Sequence, residues 1–219
     1  MARRFAMDGG GSVSGVETLP SAARRDTLLV LAPGAGTDLS NPLLVAVADG
    51  LAAHGYPSVR FNFPYKERGG RAPDPAPVLE ACYRAVLAQM RGAAARVVIG
   101  GKSMGGRMAS HLAAQGSAVD GLLFLGYPLH PAGKPQQLRA AHLARIAAPM
   151  LFLAGTRDAL CRLDLLRPVL AGLPRATLHV VDDADHSFAV RKSSGRDAAA
   201  VLDELLAASV AWLRDTVGA

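Results

Sequence analysis

The chain has 219 residues, of which 50% are hydrophobic and 19% charged. That balance excludes a disordered chain, whose signature is low hydrophobicity with high net charge, and the length allows a sizeable core without staples. The net charge of +6 comes from scattered pairs such as Arg3-Arg4, Arg24-Arg25 and Arg191-Lys192, and aromatics are 5%, so neither a basic run nor a base-stacking platform points to a nucleic-acid partner.

Two cysteines, Cys82 and Cys161, cannot make a disulfide framework or a cysteine-rich metal site; no metal and no cofactor are expected. No stretch reaches the roughly 18 apolar residues of a spanning helix. The N-terminus carries Arg3 and Arg4 but then meets glycines at 9, 10 and 11, not the apolar core of a signal peptide. We therefore expect a cytoplasmic protein with no membrane partner, as a monomer or homodimer.

In chain order, residues 1–26 are weakly patterned, with room for a short strand or hairpin around 13–19 that could add to a sheet. From residue 27 short apolar runs recur at 27–32, 58–63, 96–100, 121–125, 150–154 and 176–181. Five of the six are strongly apolar, as in parallel strands covered on both faces. Helical patterns separate them. Residues 42–54 follow the cap Ser40-Asn41 with a proline in the first turn, and residues 78–90 follow a proline-rich loop. Residues 104–114 carry the stripe Met104, Met108, Leu112. Residues 160–171 come next, and in 197–217 Val201, Leu205, Ala208 and Trp212 share one face. Alternating strands and helices predict a single α/β domain over 1–219. Its mainly parallel sheet would have six to seven strands, with helices on both faces. The irregular segment 126–148 leaves no room for a large cap.

The sharpest local feature is Gly101-Lys102-Ser103-Met104-Gly105, where a predicted strand runs straight into a predicted helix. This is G-x-S-x-G in its strand–turn–helix context. Such a turn is tight enough that the positions two before and two after the serine must lack a Cβ. It lifts the Ser103 hydroxyl off the sheet and aims the Met104 N–H and the helix N-terminus at the same point. A P-loop would need a glycine at 96, where the chain has Arg96.

A nucleophilic serine needs a base, and the base an orienting acid, in the order serine, acid, histidine. Asp158 directly follows the strand 150–154, and His186 follows the strand 176–181. Both positions are strand carboxyl ends, where open α/β sheets keep their sites. Asp158 would also suit a helix N-cap, and Asp164 is the weaker substitute. His179 lies within a strand, and His54 and His111 precede the serine. Glycines in Ala32-Pro33-Gly34-Ala35-Gly36 let backbone N–H groups turn inward. Ala35 is the first choice for a second oxyanion donor beside Met104, and Gly36 the next.

These stretches resemble the α/β-hydrolase superfamily. More closely, they are similar to its small, lidless bacterial members of the dienelactone-hydrolase-like and KANSL/TEX-type kind. The resemblance rests on residues 32–36, 60–65 (RFNFPY), 100–110 (GGKSMGGRMAS), 126–135 (GYPLHPAGKP), 152–158 (FLAGTRD) and 185–188 (DHSF). It implies an α/β-hydrolase fold with Ser103 as nucleophile, Asp158 as acid, His186 as base, and Ala35 and Met104 as oxyanion donors. Two departures stand out. Pro33 replaces the histidine that many hydrolases carry there, and serine replaces the cysteine of dienelactone hydrolase itself, which argues against a lactone substrate.

The expected activity is hydrolysis of carboxylic esters or thioesters of modest size through an acyl-enzyme at Ser103, acting on a small-molecule substrate. An acyltransferase or perhydrolase would use the same site, and a binding or scaffold protein would keep only the fold. Candidate substrate contacts are Lys102 and Arg107 beside the serine, Tyr127 and His130 after the strand 121–125, and Arg68 and Arg71 in the loop 64–77. Cys161 reads as a packed thiol.

Overall fold

The computed structural model describes residues 1–21, 23 and 25–218. Its elements run β1 (Ala2–Ala6), β2 (Ser12–Thr18), β3 (Thr27–Ala32), α1 (Pro42–Ala53), β4 (Ser58–Phe61), α2 (Pro64–Glu67), α3 (Ala76–Met90), β5 (Arg96–Lys102) and α4 (Met104–Ala114). They continue with β6 (Gly121–Leu125), β7 (Met150–Gly155), α5 (Leu163–Ala171), β8 (Ala176–Val181) and α6 (Ala198–Trp212). The strands form one sheet in the order β1-β2-β4-β3-β5-β6-β7-β8. From β4 to β8 all neighbours are parallel, and β1 and β2 add an antiparallel ribbon at the β4 edge.

The continuous apolar runs follow from two-sided burial. Along β3, Leu28 and Val30 face the layer that holds Tyr83 and Val86 of α3 and Met108 and Leu112 of α4. Leu29 and Leu31 face the opposite layer, with Val47 and Leu51 of α1 and Val201 and Leu205 of α6. Neither side of the strand meets water, so no polar alternation is required. Asn41 caps α1 through Oδ1, which accepts from the Leu44 N–H at 3.2 Å, and Asp197 caps α6 in the same way.

Three details depart from the sequence expectation. The sheet has eight strands, because residues 2–6 form β1, whose only inward side chain is Phe5. The proline-rich loop opens with the short helix α2, with Pro64 in its first turn. Helix α5 starts at Leu163 and not at 160, because Asp158 Oδ1 takes the Leu160 N–H at 2.8 Å and the Cys161 N–H turns back to the Asp158 carbonyl at 3.2 Å.

Two buried polar clusters hold the layers in register. The Tyr83 hydroxyl, on α3, stands 2.6 Å from the Val30 carbonyl and 2.7 Å from that of Gly100, and accepts from the Gly100 N–H at 2.9 Å. It thus bridges β3 and β5 just below the serine turn. On the other side of α4, Tyr127 OH donates to the Arg139 carbonyl at 2.9 Å, and the Arg139 N–H donates to the Leu129 carbonyl at 2.7 Å. Ser110 gives its proton to the Arg107 carbonyl at 2.7 Å and sits 2.7 Å from His142 Nε2. The network therefore assigns the imidazole proton to Nε2, which donates to the hydroxyl. Burial, reinforced by the nearby His111, Arg145 and Arg107, pushes the His142 pKa down to about 4.

Replacing Tyr83 by Phe removes the one hydroxyl proton shared by the Val30 and Gly100 carbonyls and leaves the Gly100 N–H without its acceptor. The variant should lose about 1–3 kcal/mol in urea denaturation. His142 sets a pH dependence. The unfolded chain takes up its proton near 6.5 and the folded chain only near 4. The unfolded state therefore binds more protons in that interval, and stability is lost as pH falls through it. Urea midpoints measured across the interval should show this loss, and His142→Asn should flatten it.

Candidate active site

The turn from β5 into α4 is shaped by close backbone packing. A Cβ on Gly101 would stand 2.1 Å from the Ala32 carbonyl oxygen, and one on Gly105 would stand 2.2 Å from the same atom. Only glycine fits at either position. Between them Ser103 takes φ +49° and ψ −115°, a left-handed backbone that L residues avoid. Its N–H still donates to the Leu125 carbonyl at 3.0 Å, so the serine is anchored to β6 while its side chain leaves the sheet.

Ser103 Oγ lies 2.8 Å from His186 Nε2. His186 Nδ1 lies 2.8 Å from Asp158 Oδ2 and 2.9 Å from Oδ1. The Asp158 carboxylate is fully shielded from solvent, whereas the His186 side chain keeps 20% exposure. A buried carboxylate that accepts from Nδ1–H leaves Nε2 free to accept the serine proton. The histidine loop is itself built by a carboxylate: Asp185 Oδ1 accepts from the N–H groups of Ser187 at 2.7 Å and Ala189 at 3.0 Å. Gly126, at φ +68°, gives the imidazole room; a Cβ there would stand 3.4 Å from Nδ1.

Opposite the serine, Gly34 lies alongside it: a Cβ there would stand 3.6 Å from Ser103 Cβ, at ordinary contact distance. The backbone N–H groups of Ala35 and Met104 donate to no other described residue, and both residues line a cleft of about 280 Å³ together with Ser103. Gly36 is a correction to the sequence expectation. Its N–H donates to the Tyr65 hydroxyl at 3.1 Å and is not free for a substrate oxygen. A larger cleft, about 570 Å³, lies at the amino-terminal ends of β3 and β5, beside Thr27 and Arg96, and does not adjoin the serine.

Of the six candidate substrate contacts, Arg107 lines the 280 Å³ cleft. Three others are taken up by the fold, which corrects the expectation for them. Lys102 is buried and its Nζ points to the His186 carbonyl at 3.4 Å; burial pulls its pKa down, against the pull of Asp158 and Asp185. Tyr127 is buried and committed to Arg139. His130 is buried, with Nδ1 3.0 Å from the Pro131 carbonyl and Nε2 accepting from the Arg162 N–H at 3.4 Å. In the loop after β4, Arg68 is ion-paired with Asp74, and Arg71 is exposed. The cleft also contains Arg139, which the sequence did not single out, because it sits in the irregular segment between β6 and β7. Cys161 is buried and its thiol is pushed up to about 12 by burial and then by Asp158, so it stays protonated.

Among the described residues no helix is long and apolar enough to cross a membrane. Between β6 and β7 the only helical element described is the short 3-10 turn Leu143–Arg145, and among the described residues no domain caps the carboxyl ends of the strands. Solved structures share this architecture. An alpha-beta serine hydrolase homologue from Coxiella burnetii is 19% identical, with a TM-score of 0.78 and 97% of each chain covered. XC6422 from Xanthomonas campestris, described as an a/b serine hydrolase without lid, is 20% identical, with a TM-score of 0.77 over 100% of this chain and 95% of that one. Dienelactone hydrolase from Anabaena variabilis is 18% identical, with a TM-score of 0.72 and 99% of each chain covered. At these identities the likeness is one of fold. A family model described as an alpha/beta hydrolase domain matches residues 25–214, so the chain belongs to the alpha/beta hydrolase family, as a member without a cap.

Proposed function

We propose that this protein is a serine hydrolase that cleaves carboxylic esters or thioesters of modest size. The observation that carries the proposal is the unbroken hydrogen-bonded chain from Ser103 through His186 to buried Asp158, mounted on a strained turn. His186 Nε2 takes the Ser103 proton as Oγ bonds to the substrate carbonyl carbon. The oxygen becomes an oxyanion held by the Ala35 and Met104 N–H groups, each worth about 3 kcal/mol. The tetrahedral centre collapses, the bond to the leaving group breaks, and the imidazolium gives its proton to the departing oxygen or sulfur. Water then gives a proton to Nε2, attacks the acyl carbon, and releases the acid as Ser103 recovers its proton. Asp158 holds the imidazole in the tautomer that accepts from serine and stabilises the imidazolium.

The small size of the cleft and the absence of a cap favour compact or flexible acyl groups. A fluorophosphonate probe should label the wild type at Ser103 and leave Ser103→Ala unlabelled. A folded wild type that takes no label would overturn the hydrolase reading in favour of a binding role. With p-nitrophenyl esters, Asp158→Asn should lower kcat by about 10⁴-fold, because the imidazole then presents the wrong tautomer.

A further inference from the structure

The cleft beside Ser103 contains two cations whose charge the fold does not use. Arg107 sits one turn along α4 from the serine, with its N–H bonded to the Ser103 carbonyl at 3.1 Å. Its guanidinium Nε is buried and has no hydrogen-bond partner. Arg139 reaches the same cleft from the segment between β6 and β7, and its side chain likewise makes no hydrogen bond or ion pair with a described residue. A buried N–H donor without an acceptor costs free energy, and two neighbouring guanidiniums repel each other. Neither arrangement helps the folded chain by itself. The backbone of Arg139 is nevertheless fixed at both ends, by buried Tyr127 on its carbonyl and by Leu129 on its N–H. The backbone that carries the second cation is therefore held in place, and the residue is half-buried.

Neither nearby acid forms an ion pair with these arginines. Glu80 is bound by His111 and Gln115. Asp74, on another wall of the cleft, gives Oδ1 to Arg68, while its Oδ2 is buried without a partner. We propose that Arg107 and Arg139 form a carboxylate-binding subsite, and that the substrate is an ester or thioester whose short acyl chain ends in a carboxylate. This rests on the proposed ester chemistry at Ser103. The acyl side is assigned because the leaving group must receive its proton from His186, which does not line this cleft. A half-ester of a short dicarboxylic acid, small enough for a cleft of about 280 Å³, would place one end on the serine and the other against the guanidiniums, in charge-assisted hydrogen bonds.

The test compares mono-(4-nitrophenyl) glutarate with its neutral methyl ester. The wild type should favour the anionic ester in kcat/KM by at least about tenfold. Arg139→Gln should bring that ratio toward one, whereas Lys134→Gln, which removes an exposed cation from the same segment, should leave it unchanged. A second readout does not depend on turnover. Glutarate titrated calorimetrically into Ser103→Ala should bind, and adding Arg139→Gln should weaken the binding at least about tenfold. Equal turnover of the two esters, a ratio unmoved by Arg139→Gln, or no glutarate binding would overturn the subsite. If neither ester is cleaved, the reading of Ser103 as a nucleophile fails, and the glutarate titration alone decides the subsite.

Discussion

A single backbone oxygen organises the turn that carries Ser103. The Ala32 carbonyl, at the last residue of β3, is the atom that a Cβ on either Gly101 or Gly105 would strike. The end of β5 and the start of α4 therefore close around it, and the residue midway between them is forced into a left-handed backbone. The spacing of the two glycines about Ser103 follows from that contact and not from any demand of the serine itself. The same closeness brings the loop after β3 against the serine, so the Ala35 N–H and the Ser103 side chain are positioned by one packing event. The Tyr83 hydroxyl tightens the arrangement from below, tying Val30 of β3 to Gly100 of β5.

From this point the other parts are supplied by strands farther along the sheet. β7 ends at Gly155, and the tight turn that follows buries Asp158. β8 ends at Val181, and the loop stiffened by Asp185 brings His186 back over β6, where Gly126 leaves space for the ring. Four strand ends thus converge on one face of a parallel sheet, the place where such sheets bring their loops together. The segment between β6 and β7 is pinned to α4 by the Ser110–His142 contact and held on itself by Tyr127.

Much of this could be read from the residues alone, and the reason is physical. Strands buried on both faces announce themselves as unbroken apolar runs, and the glycine–serine–glycine turn needs its residue types in fixed order. Asp158 and His186 stand out because each comes shortly after the carboxyl end of a strand, β7 for Asp158 and the partly exposed edge strand β8 for His186. What stayed hidden depended on contacts distant in sequence. β1 offers Ala-Arg-Arg-Phe-Ala with only Phe5 turned inward, too little alternation to mark a strand until β2 pairs with it. Lys102, Tyr127 and His130 occupy positions beside the site in the chain, but their side chains turn into the core and satisfy neighbouring carbonyls and N–H groups. The Gly36 N–H is claimed by Tyr65, 29 residues away. Arg139 lies in a stretch with no period at all, and only the folding of that stretch onto α4 brings it beside Ser103.

The antiparallel ribbon at the amino end has a consequence for how the molecule behaves in a crowd. β4 is buried along its whole length, and without a neighbour on its outer side it would offer an open row of backbone donors and acceptors to any passing chain. β2 occupies that row, and β1 then becomes the outermost strand on this side. It is short, and its central residues, Arg3 and Arg4, are tied down by Glu17 at 2.8 Å and Glu67 at 3.1 Å. A brief, charged border strand is a poor template for edge-to-edge association. The weakly patterned first residues thus act as a guard against self-association, and their lack of hydrophobic pattern is what suits them to it.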